Sequence, residues 1–225
     1  MYVSQIMDCF RDFDQKIILV KGIDQRTLMI IKLAGFHVRP DDNAMLVFCY
    51  IDREAGISYE LLCAAHIFDD GEVAFEPGND STSYKFRYGT FQGEIADIKG
   101  YKPFGQFAGK VQMIVDHYSA PEDILEVRRI QQLDMSRAQG FPDDIVVYFI
   151  KDGLEPEKVW CRTVGSDRSR NLIQMKLLNE PKSPYGMHEG DIIDVTLFPM
   201  DNGELKATPA EFLSALYEQI AHDSM

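Results

Sequence analysis

Phe141-Pro142-Asp143-Asp144-Ile145-Val146-Val147-Tyr148-Phe149-Ile150 is the stretch that decides how this chain reads. Two carboxylates behind a proline signal a turn, and the apolar run after them signals a buried strand. Working outward, Glu157 to Val164, with Trp160 inside it, reads as a second strand, and Leu172 to Leu178 and Ile192 to Phe198 add two more. Asn179, Glu180, Pro181, Gly190 and Asp191 supply turn residues between the last pair. The result is an antiparallel meander that specifies a compact β-rich module and spells out no reaction. After it, Thr208-Pro209-Ala210-Glu211 carries a capping box with proline at the first helical position. This predicts a closing helix whose apolar side holds Phe212, Leu213, Leu216, Tyr217 and Ile220.

Upstream, Ser119, Pro121, Glu122 and Asp123 predict a helix start, with carboxylates at the positive end of the dipole. That helix runs through Leu133 and stops by Gly140, which places a join near residue 140. The expected organisation is an α+β N-terminal region over 1–140 and a β-rich region with a C-terminal helix over 141–225. The N-terminal region opens on an amphipathic helix (Val3, Ile6, Met7, Phe10, Phe13), a short strand over Lys16 to Val20 and a helix capped by Asp24 and stopped by Gly35. Ala44 to Tyr50 is continuously apolar, Ile57 to Ile67 alternates, and Asp69-Asp70-Gly71 marks a hairpin. Tyr84, Phe86 and Tyr88 alternate with Lys85 and Arg87. Gly100 to Gly109 reads as a loop and Lys110 to Tyr118 as a strand. The fold class is therefore α+β, two antiparallel β meanders packed against helices.

With 36 Asp and Glu against 23 Lys and Arg, the formal charge is -13, which repels phosphate backbones and anionic lipid surfaces. Neither nucleic acid nor a membrane is the expected partner. Ten of the acids fall within residues 39–80 against only Arg39 and Arg53, so a solvated acidic face and a site for a basic partner are both open readings. Cys9, Cys49, Cys63 and Cys161 form no CxxC pair and read as reduced, buried thiols. No apolar run is long enough for a membrane span and the N-terminus lacks a secretory profile, which points to the cytoplasm.

The second half resembles a group of bacterial proteins with a YegJ-like domain of unknown function. The resemblance runs from Asp134 and Arg137 through Phe141-Pro142-Asp143-Asp144, Lys151-Asp152-Gly153-Leu154, Glu157, Val159, Trp160 and Arg162. It continues over Leu177-Leu178-Asn179-Glu180-Pro181 to Tyr185, Gly186, Gly190 and Asp191. It covers under half of the chain, and Met175 departs from it where glycine is expected. The resemblance implies a small β-rich domain without established catalytic residues, some relatives of which look like immunity proteins.

Few residues carry candidate chemistry. Alternation places Trp160 on one face with Arg162, either as a core anchor or as a platform for a ligand or partner. Asn179 and Glu180 either bind a ligand or bridge local backbone amides. The five histidines show no metal-ligand spacing, Asp143 and Asp144 read as a turn rather than a paired-carboxylate site, and no nucleophile elbow, P-loop or dinucleotide fingerprint is present. No catalytic residue, metal or cofactor is assigned. The expected function is a non-enzymatic intracellular binding protein, an immunity-like inhibitor or accessory partner of another protein, with Asp69, Asp70 and Glu72 in the acidic segment facing a basic partner. The alternative is an enzyme or small-molecule sensor with a pocket near Trp160, Arg162, Asn179 and Glu180.

Overall fold

Apolar side chains on both faces of a strand require cover on both sides, and the Ala44 to Tyr50 run has that cover. In the computed structural model, which describes residues 1–79, 81–96, 104–200 and 202–213, the chain divides into two compact units, Met1–Ser119 and Ala120–Met225.

The first unit is built on a six-stranded antiparallel sheet. Strands β1 (Lys16–Lys21), β2 (Ala44–Asp52) and β3 (Gly56–Ile67) lie in sequence order, with β6 (Glu94–Ala96) beyond β1. The long β3 carries two short partners on its outer side, β4 (Val73–Phe75) and β5 (Lys85–Arg87). One face buries Val20, Met45, Val47, Tyr59 and Leu61 against Val3, Ile6 and Phe10 of the N-terminal helical segment and against helix α2 (Gln25–Leu33). That segment is a 3₁₀-helix, Val3–Cys9, followed by a single α turn, α1 (Phe10–Phe13). Asp24 caps α2 by accepting from the Thr27 N–H at 2.7 Å, and Gly35 ends it at a positive φ of 91° that favours glycine.

The other face buries Leu19, Leu46, Phe48 and Tyr50 under helix α3 (Phe104–Tyr118). This corrects two expectations at once, since 104–109 is not loop and Lys110 to Tyr118 is not strand. Phe107, Val111, Ile114, Val115 and Tyr118 recur at 3.6-residue spacing and share one side of α3. The two glycines at 105 and 109, read as loop signals, have open space around them.

The second unit begins with helix α4 (Glu122–Arg129) and a 3₁₀ turn, Gln131–Ser136. The division therefore falls at Ser119 and Ala120 rather than near 140, because Val127 and Leu133 pack into the second core. The two-residue β7 (Arg137–Ala138) pairs with β8 (Phe141–Phe149), followed by β9 (Glu157–Asp167), β10 (Leu172–Leu177), β11 (Ile192–Pro199) and β12 (Leu205–Pro209). Each pairs antiparallel with the next, and Ala207 of β12 meets Val147 of β8, closing a five-stranded barrel. With an odd number of up-and-down strands the first and last run the same way, so this one seam is parallel. Ile145, Val147, Phe149, Val159, Cys161, Met175 and Val195 fill the interior. Met175 is fully buried there, beside a bulge where Val164 is the extra residue of β9.

The capping box itself is absent: Thr208 and Pro209 belong to β12 and the Thr208 hydroxyl donates to the Tyr148 carbonyl at 2.9 Å. A 3₁₀ turn, Ala210–Phe212, follows with Leu213 in helical conformation, and the rest of the expected closing helix lies outside the described residues. Phe212 is buried against Phe149 and Tyr185. Leu216, Tyr217 and Ile220 lie outside the described residues.

Candidate functional site

Asp143 and Asp144 are strand residues, not a turn. Alternation along β8 sends them to opposite sides, and each meets an arginine. The Arg128 guanidinium donates to both oxygens of Asp143 at 2.8 Å, with both side chains buried. Arg162 donates to Asp144 at 2.6 and 2.9 Å. Arg137 is buried as well, donating to Asp134 at 3.0 Å and to the carbonyls of Val127 and Pro142. These residues tie α4, the 3₁₀ turn and the barrel together.

Asn179 and Glu180 serve the backbone. The Asn179 side-chain oxygen accepts from the Trp160 N–H at 2.9 Å, and Glu180 accepts from the Glu189 N–H at 2.8 Å while meeting His188 Nδ1 at 2.8 Å. The Glu189 amide holds the Glu180 carboxyl below the usual carboxylate range, with His188 adding to it. The Glu180 contact in turn raises the His188 imidazole above its ordinary value.

Trp160 is not a core anchor. It stands 40% exposed on the outer wall of the barrel, because alternation in β9 turns Val159 and Cys161 inward. Beside it on that wall, Val146 is its partner across β8, and one rung crosses four strands as Asp144, Arg162, Lys176 and Ile192. Ile192 is 63% exposed. Lys158 and Lys206 both lie over the Tyr148 ring on the same side. The wall thus joins two exposed apolar side chains to a group of cations.

The acidic segment resolves into separate jobs. Asp42, Glu60 and Glu76 are buried: Asp42 accepts from the Arg39 N–H at 2.7 Å, and Glu76 meets His37 and Arg39. Asp52 pairs with Arg87 at 3.1 Å. Asp80 lies outside the described residues. Asp41, Glu54, Asp69, Asp70 and Glu72 remain exposed, and the last three surround an exposed Phe68 at the β3–β4 hairpin.

A crevice of about 340 Å³ in the first unit, between α3 and the β5 edge, is lined by Glu60, Lys85, Lys110, His117 and Tyr118 with hydroxyls of the 81–83 segment. Glu60 is 1% exposed, on the α3 side of β3 opposite Phe48 and Lys85. Its Oε1 lies 3.1 Å from Lys110 Nζ, which donates to the carbonyls of Leu61 at 2.9 Å and Thr82 at 2.8 Å. Both Glu60 oxygens are buried and neither accepts a hydrogen bond among the described residues, the Lys110 contact being an ion pair only. The buried Tyr50 hydroxyl is likewise unpartnered among them, and burial pushes that phenol up, so it stays protonated. Lys85 Nζ donates to the Tyr118 hydroxyl at 3.0 Å. Sequence reading missed this group, although two signals were present. Glu60 is the lone carboxylate in a mainly apolar strand, and Lys110 falls on the apolar side of α3.

Three other crevices among the described residues, over Glu126 and Arg168, Asp24 and Gly89, and Leu28 and Arg39, are not lined by Trp160, Arg162, Asn179 or Glu180. At the β9–β10 tip Arg168 pairs with Glu126 and Arg170 with Asp194, so carboxylates already occupy both. Cys49, Cys63 and Cys161 are buried, and burial pushes the Cys63 and Cys161 thiols up to about 12. No helix among the described residues is long and apolar enough to cross a membrane. Compared with protein-family models, with curated proteins and with solved structures, the chain matches none.

Proposed function

We propose that this chain is a non-enzymatic binding protein, an inhibitor or accessory partner of another protein, and that it docks through the outer barrel wall. The observation that carries this reading is the exposed Trp160. Exposed tryptophan on a rigid strand offers a large contact area at little cost in side-chain freedom, which is the usual character of an interface hot spot. Ile192 extends the apolar contact, and Lys158 and Lys176 border it, which favours a partner whose apolar patch is rimmed by carboxylates. Asn179 and Glu180 contribute by holding the strand end and its loop, not by touching the partner.

The basic-partner expectation narrows to the Phe68 hairpin, where Asp69, Asp70 and Glu72 keep their charges in solvent. Co-purification from the native host, followed by binding kinetics with the partner so identified, tests both surfaces. Trp160→Ala should weaken binding about 30-fold or more, equivalent to about 2 kcal/mol, with unchanged thermal unfolding. Asp69→Asn with Asp70→Asn and Glu72→Gln should instead lower only the association rate, and only at low salt. Unchanged affinity for the Trp160 variant would rule out docking at the wall.

A further inference from the structure

The α3–β5 crevice belongs to the first unit and shares no lining residue with the docking surface proposed on the barrel. We propose that it is a binding site for a small hydroxycarboxylate, whose hydroxyl donates to Glu60 Oε2 and whose carboxylate meets Lys85 at the rim. A buried carboxylate oxygen without a donor costs free energy unless something supplies one. The protein has not done so here: Lys110 donates to the Leu61 and Thr82 carbonyls and meets Glu60 Oε1 only as an ion pair at 3.1 Å, so neither Glu60 oxygen accepts a hydrogen bond among the described residues.

Charge selects the ligand class. Lys110 already balances the Glu60 charge, so a second cation at Oε2 is not needed and a neutral O–H donor is the fitting group. Lys85 pairs with no carboxylate among the described residues, and its only side-chain partner among them is the neutral Tyr118 hydroxyl. The crevice thus carries one uncompensated cation at its mouth and a carboxylate without a hydrogen-bond donor at its floor, its Oε2 free of the Lys110 ion pair. Tyr118 accepts from Lys85 and keeps its own O–H to donate to an anion held there. A volume of about 340 Å³ falls at the small end of ligand pockets, which suits a molecule of a few carbons.

Calorimetric titration of the full chain with a length series tests this: glycolate, 3-hydroxypropionate and 4-hydroxybutyrate, each beside its deoxy analogue (acetate, propionate, butyrate) and its amino analogue. One hydroxy acid should bind with a Kd of about 1 mM or tighter and about tenfold better than its deoxy and amino counterparts. Lys85→Met, a change at an exposed position that leaves Glu60 and Lys110 intact, should weaken that binding about tenfold. Three results overturn the proposal: no binding by any hydroxy acid at about 50 mM, well above the expected Kd, equal affinity for hydroxy and deoxy forms, or an unaffected Lys85→Met variant. Because the probes are small molecules and Trp160 is untouched, failure here is separate from failure of the docking surface.

Discussion

Arg128 and Asp143 are 4% and 3% exposed, and two parallel hydrogen bonds of 2.8 Å join them. Removing one partner leaves the other charge in a low-dielectric interior, which costs far more than the pair contributes in net terms. Arg128→Ala should therefore lose about 3–5 kcal/mol in urea unfolding, while Arg128→Met combined with Asp143→Leu should recover most of it. A single variant of near-native stability would show that water reaches the pair. At this scale the sequence is legible in type and silent in partner. Asp143 and Asp144 stand out as a doublet, yet they read as a turn because the arginines that hold them in a strand lie 15 residues before and 18 after. Trp160 misleads for the opposite reason: alternation correctly pairs it with Arg162, but period two cannot say which side of a strand faces the core.

Among the elements of the first unit, α3 is misread, and its environment explains why. Its Phe107 ring lies over Gly78, where an added Cβ would come within 2.3 Å of the ring. Such a close approach is set by tertiary packing and has no local signature. Phe107→Ala should destabilise the protein by about 3–5 kcal/mol in thermal or urea unfolding. Gly78→Ala should be costly alone and nearly neutral in the Phe107→Ala background, and additive losses would show that the two positions do not share that contact. By contrast β1, α2, β2, β3 and the 69–71 hairpin were legible, because period and caps agree there. The crevice beside α3 was not, since it needs Glu60 and Lys110, 50 positions apart, to meet.

For the whole molecule, composition and patterning indicated α+β with two meanders, and both are present. Closure of the second into a barrel was not legible, because β12 was hidden under a helix-capping signal. That odd-stranded closure has a consequence for rewiring the chain. Since β8 and β12 run the same way with Ala207 beside Val147, the start of β8 and the end of β12 lie at opposite poles of the barrel. Joining Pro209 to Phe141 would mean crossing roughly 25 Å, about eight residues at 3.3 Å each. A circular permutant of the barrel with a three-residue linker should fail to fold, and one with about twelve flexible residues should succeed. Native-like circular dichroism from the short-linker form would mean that the seam is not parallel. For this barrel, unlike domains whose termini are neighbours, the order in which the strands leave the ribosome is part of the architecture.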